Sequence, residues 1–98
     1  MQLQDKIVVV TGAGSGIGRA LVKKFIAEGA KAVIAVDINA EAAEQTATGL
    51  GAIAMSADVT QEHDVIRVIE DTERDIGPID LFCSNAGIAA GASEQSPN

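Results

Sequence analysis

A glycine-rich run restricts the fold of this chain more than any other feature. The run reads Thr11-Gly12-Ala13-Gly14-Ser15-Gly16-Ile17-Gly18. Residues 6–11, just before it, form a short run rich in β-branched side chains, which favours a buried strand over a helix. The residues after it, 16–28, carry apolar side chains at four-residue spacing from Ile17 onward, as an amphipathic helix does. The run therefore predicts a tight turn that joins a strand to a helix.

A turn of this kind can hold a phosphate group. Glycine permits backbone conformations that other residues avoid, and it lets a ligand approach closely. The helix that follows presents free N–H groups and the positive end of its dipole. Gly18 is expected to let this helix pack close to the sheet. The alternative, a glycine-rich turn that binds nothing, is weakened by the strand–turn–helix context.

The rest of the chain alternates between strand-like and helix-like segments. Further strands are expected at 31–36, 52–57 and 79–83. One helix is expected at 40–48, capped by Asn39. Another is expected between a cap at Thr60 and a stop at Gly77-Pro78, with one face marked by Val65, Ile69, Thr72 and Ile76.

This βαβαβαβ order predicts an α/β fold, a doubly wound parallel sheet with strand order 3-2-1-4. A ligand crevice is expected where the winding reverses, between strands 1 and 4. Strand 4 would be left as an uncovered apolar edge, so we expect residues 1–98 to be the N-terminal part of a larger domain, truncated after about four strands. Residues 89–98 are small and polar and predict a loop or a disordered tail.

Composition narrows the class of partner. The net charge of −7 disfavours nucleic acid and anionic membranes. The apolar segments are too short to span a bilayer. Cys83 is the single cysteine, which excludes an internal disulfide and predicts a cytoplasmic protein.

Asp37 directly follows the second predicted strand, nineteen residues after Gly18. An acidic residue at about this spacing accepts hydrogen bonds from the ribose hydroxyls of a dinucleotide. Its charge would repel the 2′-phosphate of NADP, and neither Ser15 nor Ile38 offers a basic group for that phosphate. The pattern predicts NAD as the cofactor. A turn role for Asp37 is the alternative, although Asn39 is better placed to cap the next helix.

Two more strand ends carry residues suited to a ligand. Asp58-Val59 could hold an adenine amino group and ring face, although a loop role is the better interpretation of this pair alone. Ser84-Asn85-Ala86-Gly87 follows the fourth strand, where small residues let the backbone approach a ligand and Asn85 could fix the strand end. The alternative for this segment is a turn that binds nothing.

Together these motifs resemble the short-chain dehydrogenase/reductase family. Residues 11–18 fit its Thr-Gly-x-x-x-Gly-x-Gly pattern, and Asp58-Val59 fits its Asp-Val pair. Asn85-Ala86-Gly87 fits its Asn-Asn-Ala-Gly motif, with Ser84 in place of the first Asn. The resemblance runs from about residue 6 to residue 88 and implies a Rossmann-type fold.

The resemblance also implies roles for individual residues. Ser15 and Ile17 would contact the pyrophosphate and nicotinamide side of the cofactor, Asp37 would select NAD, and Asp58 with Val59 would bind adenine. Residues 85–87 would approach the adenine-side ribose. The expected cofactor-binding residues are Gly12, Gly14, Ser15, Gly16, Ile17, Gly18, Asp37, Asp58, Val59, Asn85, Ala86 and Gly87.

The implied activity belongs to a longer parent enzyme. It would transfer hydride between NAD(H) and an alcohol or carbonyl substrate, as a homo-oligomer (tetramer or dimer). The family's catalytic Ser, Tyr-x-x-x-Lys pair and Asn lie further along the chain than Asn98, and this sequence has no Tyr. No catalytic residue is therefore expected here, and the chain alone is expected to be inactive.

The remaining reactive side chains have plain interpretations. His63 is expected to be solvated, Cys83 to pack in an apolar strand, and Asp75 and Asp80 to be helix-end and turn charges. No His, Cys and carboxylate cluster predicts a metal. Two other functions stay open, a non-catalytic module that senses NAD(H) and a methyltransferase-like fold that binds adenosylmethionine.

Overall fold

The computed structural model describes residues 2–85. Seven elements follow one another along these residues, alternating strand and helix. They are β1 (Ile7–Thr11), α1 (Gly16–Ala27), β2 (Ala32–Asp37), α2 (Ala40–Leu50), β3 (Ile53–Ser56), α3 (Glu62–Asp75) and β4 (Leu81–Ser84). The predicted tail at 89–98 lies outside the described residues.

The four strands form one parallel sheet in the order β3-β2-β1-β4, as the sequence predicts. β1 pairs with β2 on one side and with β4 on the other, so that Val9 lies between Ile34 and Phe82. β3 pairs with the outer side of β2. Because β2 and β4 flank β1, the chain reverses its winding at β1, and the predicted switch point lies there.

Both faces of the sheet are covered, which confirms the doubly wound architecture. Alternate residues of β1 point to opposite faces. Val8 and Val10 join a core cluster with residues of α1 and α2, notably Val22, Phe25 and Ala47. Ile7 and Val9 join a second cluster on the other face with Val68 of α3. All five residues of β1 are buried, as befits a central strand that is apolar on both sides.

The carboxyl ends of the strands bring the predicted site residues to one edge. Parallel strands end on the same side of a sheet, here at Thr11, Asp37, Ser56 and Ser84. The glycine-rich turn leaves the edge from β1 and Asp58 follows β3. The sheet topology therefore gathers segments that are far apart along the chain.

The exposure of Ile17 corrects the predicted apolar face of α1. Ile17 is 69% exposed, and the buried residues of this helix are Gly18, Val22 and Phe25. The buried stripe starts one residue later because the first turn of α1 lies over the glycine-rich turn rather than over the sheet. Ile17 is thus an exposed apolar side chain in the first turn of α1.

The start of α3 is a second correction. Gln61, and not Thr60, is the N-cap residue, and its side chain makes no capping bond. The Thr60 hydroxyl instead donates to Asp58 Oδ1 at 2.6 Å. Asp64, in the first turn, accepts a hydrogen bond from the Asp58 backbone N–H at 2.9 Å. The hydroxyl is engaged in the loop and is therefore unavailable to the helix.

Other boundaries moved by a few residues. α2 continues through Gly49 and ends at Leu50, and its C-cap is Gly51, whose φ of 76° places it in the left-handed region. In α3 the deepest residues are Val68 and Thr72, whereas the other three predicted face residues are half-buried. β4 begins at Leu81 and not at Ile79.

Two single residues were also interpreted from the sequence. Cys83 is only half-buried, packed against the first core cluster, and His63 is 80% exposed, as predicted. Among residues 2–85, no helix is both long and apolar enough to cross a membrane.

Candidate functional site

The glycine-rich turn is held in a fixed shape at the end of β1. Gly12 and Gly16 have φ values of 66° and 55°, a region that side chains with a Cβ rarely adopt. The Ala13 backbone N–H donates to the Val36 carbonyl at 2.9 Å, which ties the turn to β2. A Cβ on Gly18 would stand 1.9 Å from the Gly12 carbonyl oxygen. Gly18 therefore lets α1 pack close to the glycine-rich turn, whereas the sequence predicted close packing against the sheet.

Among residues 2–85, no side chain caps the N-terminus of α1. Its N-cap, Ser15, makes no side-chain capping bond, and the first turn carries no acidic residue. The first intrahelical bond is made by Arg19, whose N–H donates to the Ser15 carbonyl at 3.3 Å. By contrast, α2 is capped by Asn39 and has Glu41 in its first turn. The positive end of the α1 dipole is thus the one that no side chain of its own first turn offsets.

The Asp37 carboxylate is fixed by two backbone amides. Its Oδ2 accepts a hydrogen bond from Gly14 N–H and its Oδ1 accepts one from Asn39 N–H, both at 2.9 Å. Asn39, and not Asp37, caps α2, through its own side chain and the Ala42 N–H at 3.1 Å. A carboxylate offers about four lone-pair sites, so roughly half of its acceptor capacity stays open to a ligand.

A cavity of about 230 Å³ lies beside this carboxylate, among residues at the ends of β1, β2 and β3, and not between β1 and β4, where the sequence predicted the ligand crevice. It brings together four of the predicted residues from three separate segments, Gly12, Asp37, Asp58 and Val59. Its remaining walls are Ile38, Ala57 and Thr60. Complete pockets for drug-sized ligands span roughly 300–1,000 Å³, so this cavity has room for part of a dinucleotide.

A second acidic residue that lines the cavity is Asp58. The pKa of the Asp58 carboxyl lies below its usual range, chiefly because its Oδ1 accepts hydrogen bonds from the Thr60 hydroxyl and from the Thr60 N–H. Desolvation works weakly against this, and His63 adds a small attraction. Because its pKa is lowered, the Asp58 carboxyl is ionised at neutral pH. Both Thr60 bonds use Oδ1, which leaves Oδ2 for another donor.

The other predicted residues lie along the turn or beyond the cavity. Gly14, Ser15, Gly16, Ile17 and Gly18 form the turn and the start of α1. Asn85 reaches the turn through a long hydrogen bond from its Nδ2 to the Gly12 carbonyl, 3.5 Å, which links the end of β4 to β1. Ala86 and Gly87 lie outside the described residues.

Four residues of the site were missed in the sequence: Ile38, Thr60, Arg19 and Ala57, which was predicted only as the last residue of the third strand. Ile38 is 68% exposed on the cavity wall, and its apolar type directly after an acidic strand end was an available signal. Thr60 could have been found by its spacing of two from Asp58. Arg19 donates from its guanidinium to the Gly14 carbonyl at 3.1 Å, and no sequence signal separates it from other polar residues of α1. Within residues 2–85, no group of three or more His, Cys, Asp or Glu side chains could hold a metal ion.

Comparison with known proteins gives this geometry a family context. Residues 6–98 match the family model described as short chain dehydrogenase. The chain is 44% identical over 92 residues to 1-deoxy-11-beta-hydroxypentalenate dehydrogenase of Streptomyces exfoliatus. This match covers 90% of this chain and 34% of that protein. The chain is 41% identical over 92 residues to zerumbone synthase of Zingiber zerumbet, with the same coverage.

A solved structure agrees with these relatives. The hydroxysteroid dehydrogenase of Escherichia coli superposes with a TM-score of 0.75 and 31% identity, over 85% of this chain and 37% of that one. The chain therefore spans about a third of the length of the proteins it matches.

Proposed function

Because this chain belongs to the short-chain dehydrogenase family, we propose that its described edge binds the adenosine and pyrophosphate part of NAD. The parent enzyme would be an oxidoreductase that moves hydride between NAD(H) and an alcohol or carbonyl group. The observation that carries the proposal is the shared cavity, which is lined both by Asp37, at the end of β2, and by Asp58, which follows β3.

The ribose half of this proposal depends on Asp37. Its carboxylate is held by Gly14 and Asn39 and keeps acceptor capacity for the two hydroxyls of a ribose. A 2′-phosphate would meet a negative charge at the same place, without a basic residue among the cavity walls. These features support NAD over NADP.

The adenine half of this proposal depends on Asp58, Val59 and Ile38. Asp58 Oδ2 can accept a hydrogen bond from the adenine amino group, and Val59 and Ile38 provide apolar surface for the ring. The pyrophosphate would lie at the open N-terminus of α1, near Ser15. Asn85 would support the turn from the side of β4. Ala86 and Gly87 are proposed to approach the adenine-side ribose.

Nicotinamide, when bound, supplies the hydride acceptor or donor, and these residues would bind and orient the rest of the cofactor. The 98 residues contain no Tyr, so we assign them no proton-transfer role. For the parent enzyme, the proposal also includes an alcohol or ketone substrate, a homo-oligomeric assembly and a cytoplasmic location. The match to the short chain dehydrogenase family supports a nicotinamide cofactor rather than adenosylmethionine as the ligand.

The test is calorimetry with ADP-ribose and with its 2′-phosphate, on the whole chain and on Asp37→Asn. ADP-ribose should bind the original chain at least tenfold more tightly than the 2′-phosphate. Asp37→Asn should weaken ADP-ribose about tenfold and narrow that gap, because a charged acceptor contributes roughly 1.5–3 kcal/mol. Adenosylmethionine should not bind.

The matched control is Glu44→Gln. Glu44 is exposed on α2 and, among the described residues, forms no hydrogen bond or ion pair through its side chain. Glu44→Gln removes one negative charge, as Asp37→Asn does, so a general effect of net charge would appear in both variants. An unchanged preference in Asp37→Asn would leave Asp37 as a turn residue and remove the case for NAD.

A further inference from the structure

Arg19 connects three segments that carry the proposed site. Its Nε donates to the Thr46 hydroxyl on α2 at 2.9 Å, and its Nη2 donates to the Gly14 carbonyl at 3.1 Å. Thr46 is only 2% exposed, so its hydroxyl lies on the buried side of α2. One planar guanidinium thus joins α1, the buried side of α2 and the glycine-rich turn.

The contacts of Gly14 explain why this connection reaches the ligand edge. Gly14 N–H donates to Asp37 Oδ2, and the Gly14 carbonyl accepts from Arg19. A Cβ on Gly14 would lie 2.6 Å from Ala42 Cβ, so α2 packs directly on the turn. Ala42 and Thr46 are four residues apart and share a helix face. Gly14 is therefore held at both of its backbone polar groups, the N–H by Asp37 and the carbonyl by Arg19.

Arg19 itself does not line the cavity. Within residues 2–85 it forms no ion pair, and both of its acceptors are neutral oxygens. Its contribution to ribose recognition in that cavity is therefore indirect, and its contact with the turn is the hydrogen bond to the Gly14 carbonyl.

We propose that Arg19 is a positioning residue for ribose recognition. It fixes Gly14 against α2 through Thr46, and Gly14 in turn fixes the Asp37 carboxylate. This inference rests on the proposed function. Loss of the link would free Gly14, and the Asp37 carboxylate would then sample other rotamers, so both the affinity for ADP-ribose and the discrimination against its 2′-phosphate would fall.

Calorimetry with both ligands on the whole chain tests the proposal. Arg19→Gln should weaken ADP-ribose roughly fivefold to tenfold and reduce the discrimination ratio by a similar factor. Arg19→Lys keeps the charge but cannot hold both oxygens in one plane, so it should behave like Arg19→Gln. Lys23→Gln is the charge-matched control on the same helix, since Lys23 is exposed and makes no side-chain hydrogen bond or ion pair with the described residues.

The anchor can be tested without changing Arg19. Thr46→Val removes the hydroxyl and should reproduce the loss of discrimination, whereas Thr46→Ser keeps it and should bind as the original chain does. The double variant Arg19→Gln/Thr46→Val should be no worse in binding than Arg19→Gln alone, because both act on one link. The Thr46 pair decides the matter even where Arg19→Gln does not fold.

The outcomes separate the two proposals. If the original chain does not bind ADP-ribose, both proposals are overturned. If it binds and discriminates, but the Arg19 and Thr46 variants keep the full ratio, the proposed function stands and the role of Arg19 is overturned. Wild-type discrimination in Arg19→Lys alone would also overturn it, because charge and not position would then be the cause.

Discussion

Asp80 and Ile7 are joined by two hydrogen bonds that extend the β1–β4 ladder by one step. The Asp80 N–H donates to the Ile7 carbonyl at 2.8 Å, and Asp80 Oδ2 accepts from the Ile7 N–H at 2.9 Å. The side-chain oxygen therefore stands where a strand carbonyl would be. The turn charge expected from the sequence is a structural residue at the entrance to β4.

Replacing Asp80 should loosen that entrance. Asp80→Ala leaves the N–H of the buried Ile7 without an acceptor and should cost about 1–2 kcal/mol in the free energy of unfolding. Asp80→Asn keeps an amide oxygen and should cost less than half as much. Denaturant unfolding gives the energies, and faster exchange of the Ile7 amide in Asp80→Ala would locate the effect. Equal losses in the two variants would contradict the assignment.

Two glycines in helices should respond in opposite directions to the same substitution. Gly18→Ala places a methyl 1.9 Å from the Gly12 carbonyl oxygen and must displace the turn, so we expect a loss of about 3 kcal/mol or more. Gly49, in α2, has open space around its Cβ position. Gly49→Ala should therefore stabilise the chain by about 0.5–1 kcal/mol, through helix propensity. Thermal unfolding of both variants checks the pair.

Two buried threonines form a second matched pair. Thr72 Oγ1 has no hydrogen-bond partner among the described residues, whereas Thr46 Oγ1 accepts from Arg19. Thr72→Val should raise the free energy of unfolding by about 1 kcal/mol, because it removes an unsatisfied buried hydroxyl. Thr46→Val should lower it by a similar amount. A loss of stability in Thr72→Val would show that its hydroxyl is satisfied in solution.

The ionisation of Asp58 predicts a dependence on pH. Because its pKa is lowered in the folded chain, Asp58 contributes stability that is present above its ordinary pKa of about 4 and is lost as the pH falls through the lowered value. Thr60→Val removes the main cause and should move the pKa of Asp58 upward, while Thr60→Ser should not. NMR titration of the carboxyl carbon measures this, and an unchanged pKa in Thr60→Val would reject the Thr60 hydroxyl as the cause.

The exposed side chain of Ile38 offers a direct change of cofactor preference. Ile38→Arg costs little packing, because the residue is 68% exposed, and it places a cation on the cavity wall beside Asp37. In an Asp37→Ala background, it should improve binding of the 2′-phosphate of ADP-ribose about tenfold, through a charge-assisted contact. Ile66→Arg, on the exposed side of α3, adds the same charge elsewhere and should not. Equal effects of the two arginines would mean that only net charge matters.

The sequence predicted the fold well because its signals are local and repeated. Strand and helix periods, the glycine turn and Asn39 each specify their own element, and parallel topology then places Asp37 and Asp58 at one edge. The same reasoning failed where a side chain's partner depends on tertiary approach. Thr60 bonds Asp58 and does not cap α3, and Ile17 is 69% exposed rather than packed in the core.

Arg19 shows the limit most clearly. Its neighbours Lys23 and Lys24 on α1 are as polar, and nothing in their spacing distinguishes a solvated cation from one that bridges two helices and a turn. The distance from Arg19 to Thr46 is set by how α2 packs against α1, which depends on side-chain volumes at both interfaces. Such a contact is read from coordinates and not from a periodic pattern.

The central position of β1 has a kinetic consequence. Its five buried residues are flanked by β2 and β4, so its amides should exchange with solvent only through the rare events that open the whole sheet. The turn that begins at its end inherits this rigidity through the Ala13 bond to Val36. A ligand arriving at this edge would meet a surface already in its final shape, without waiting for a slow rearrangement. Differences between related ligands should then appear mainly in how long each stays bound.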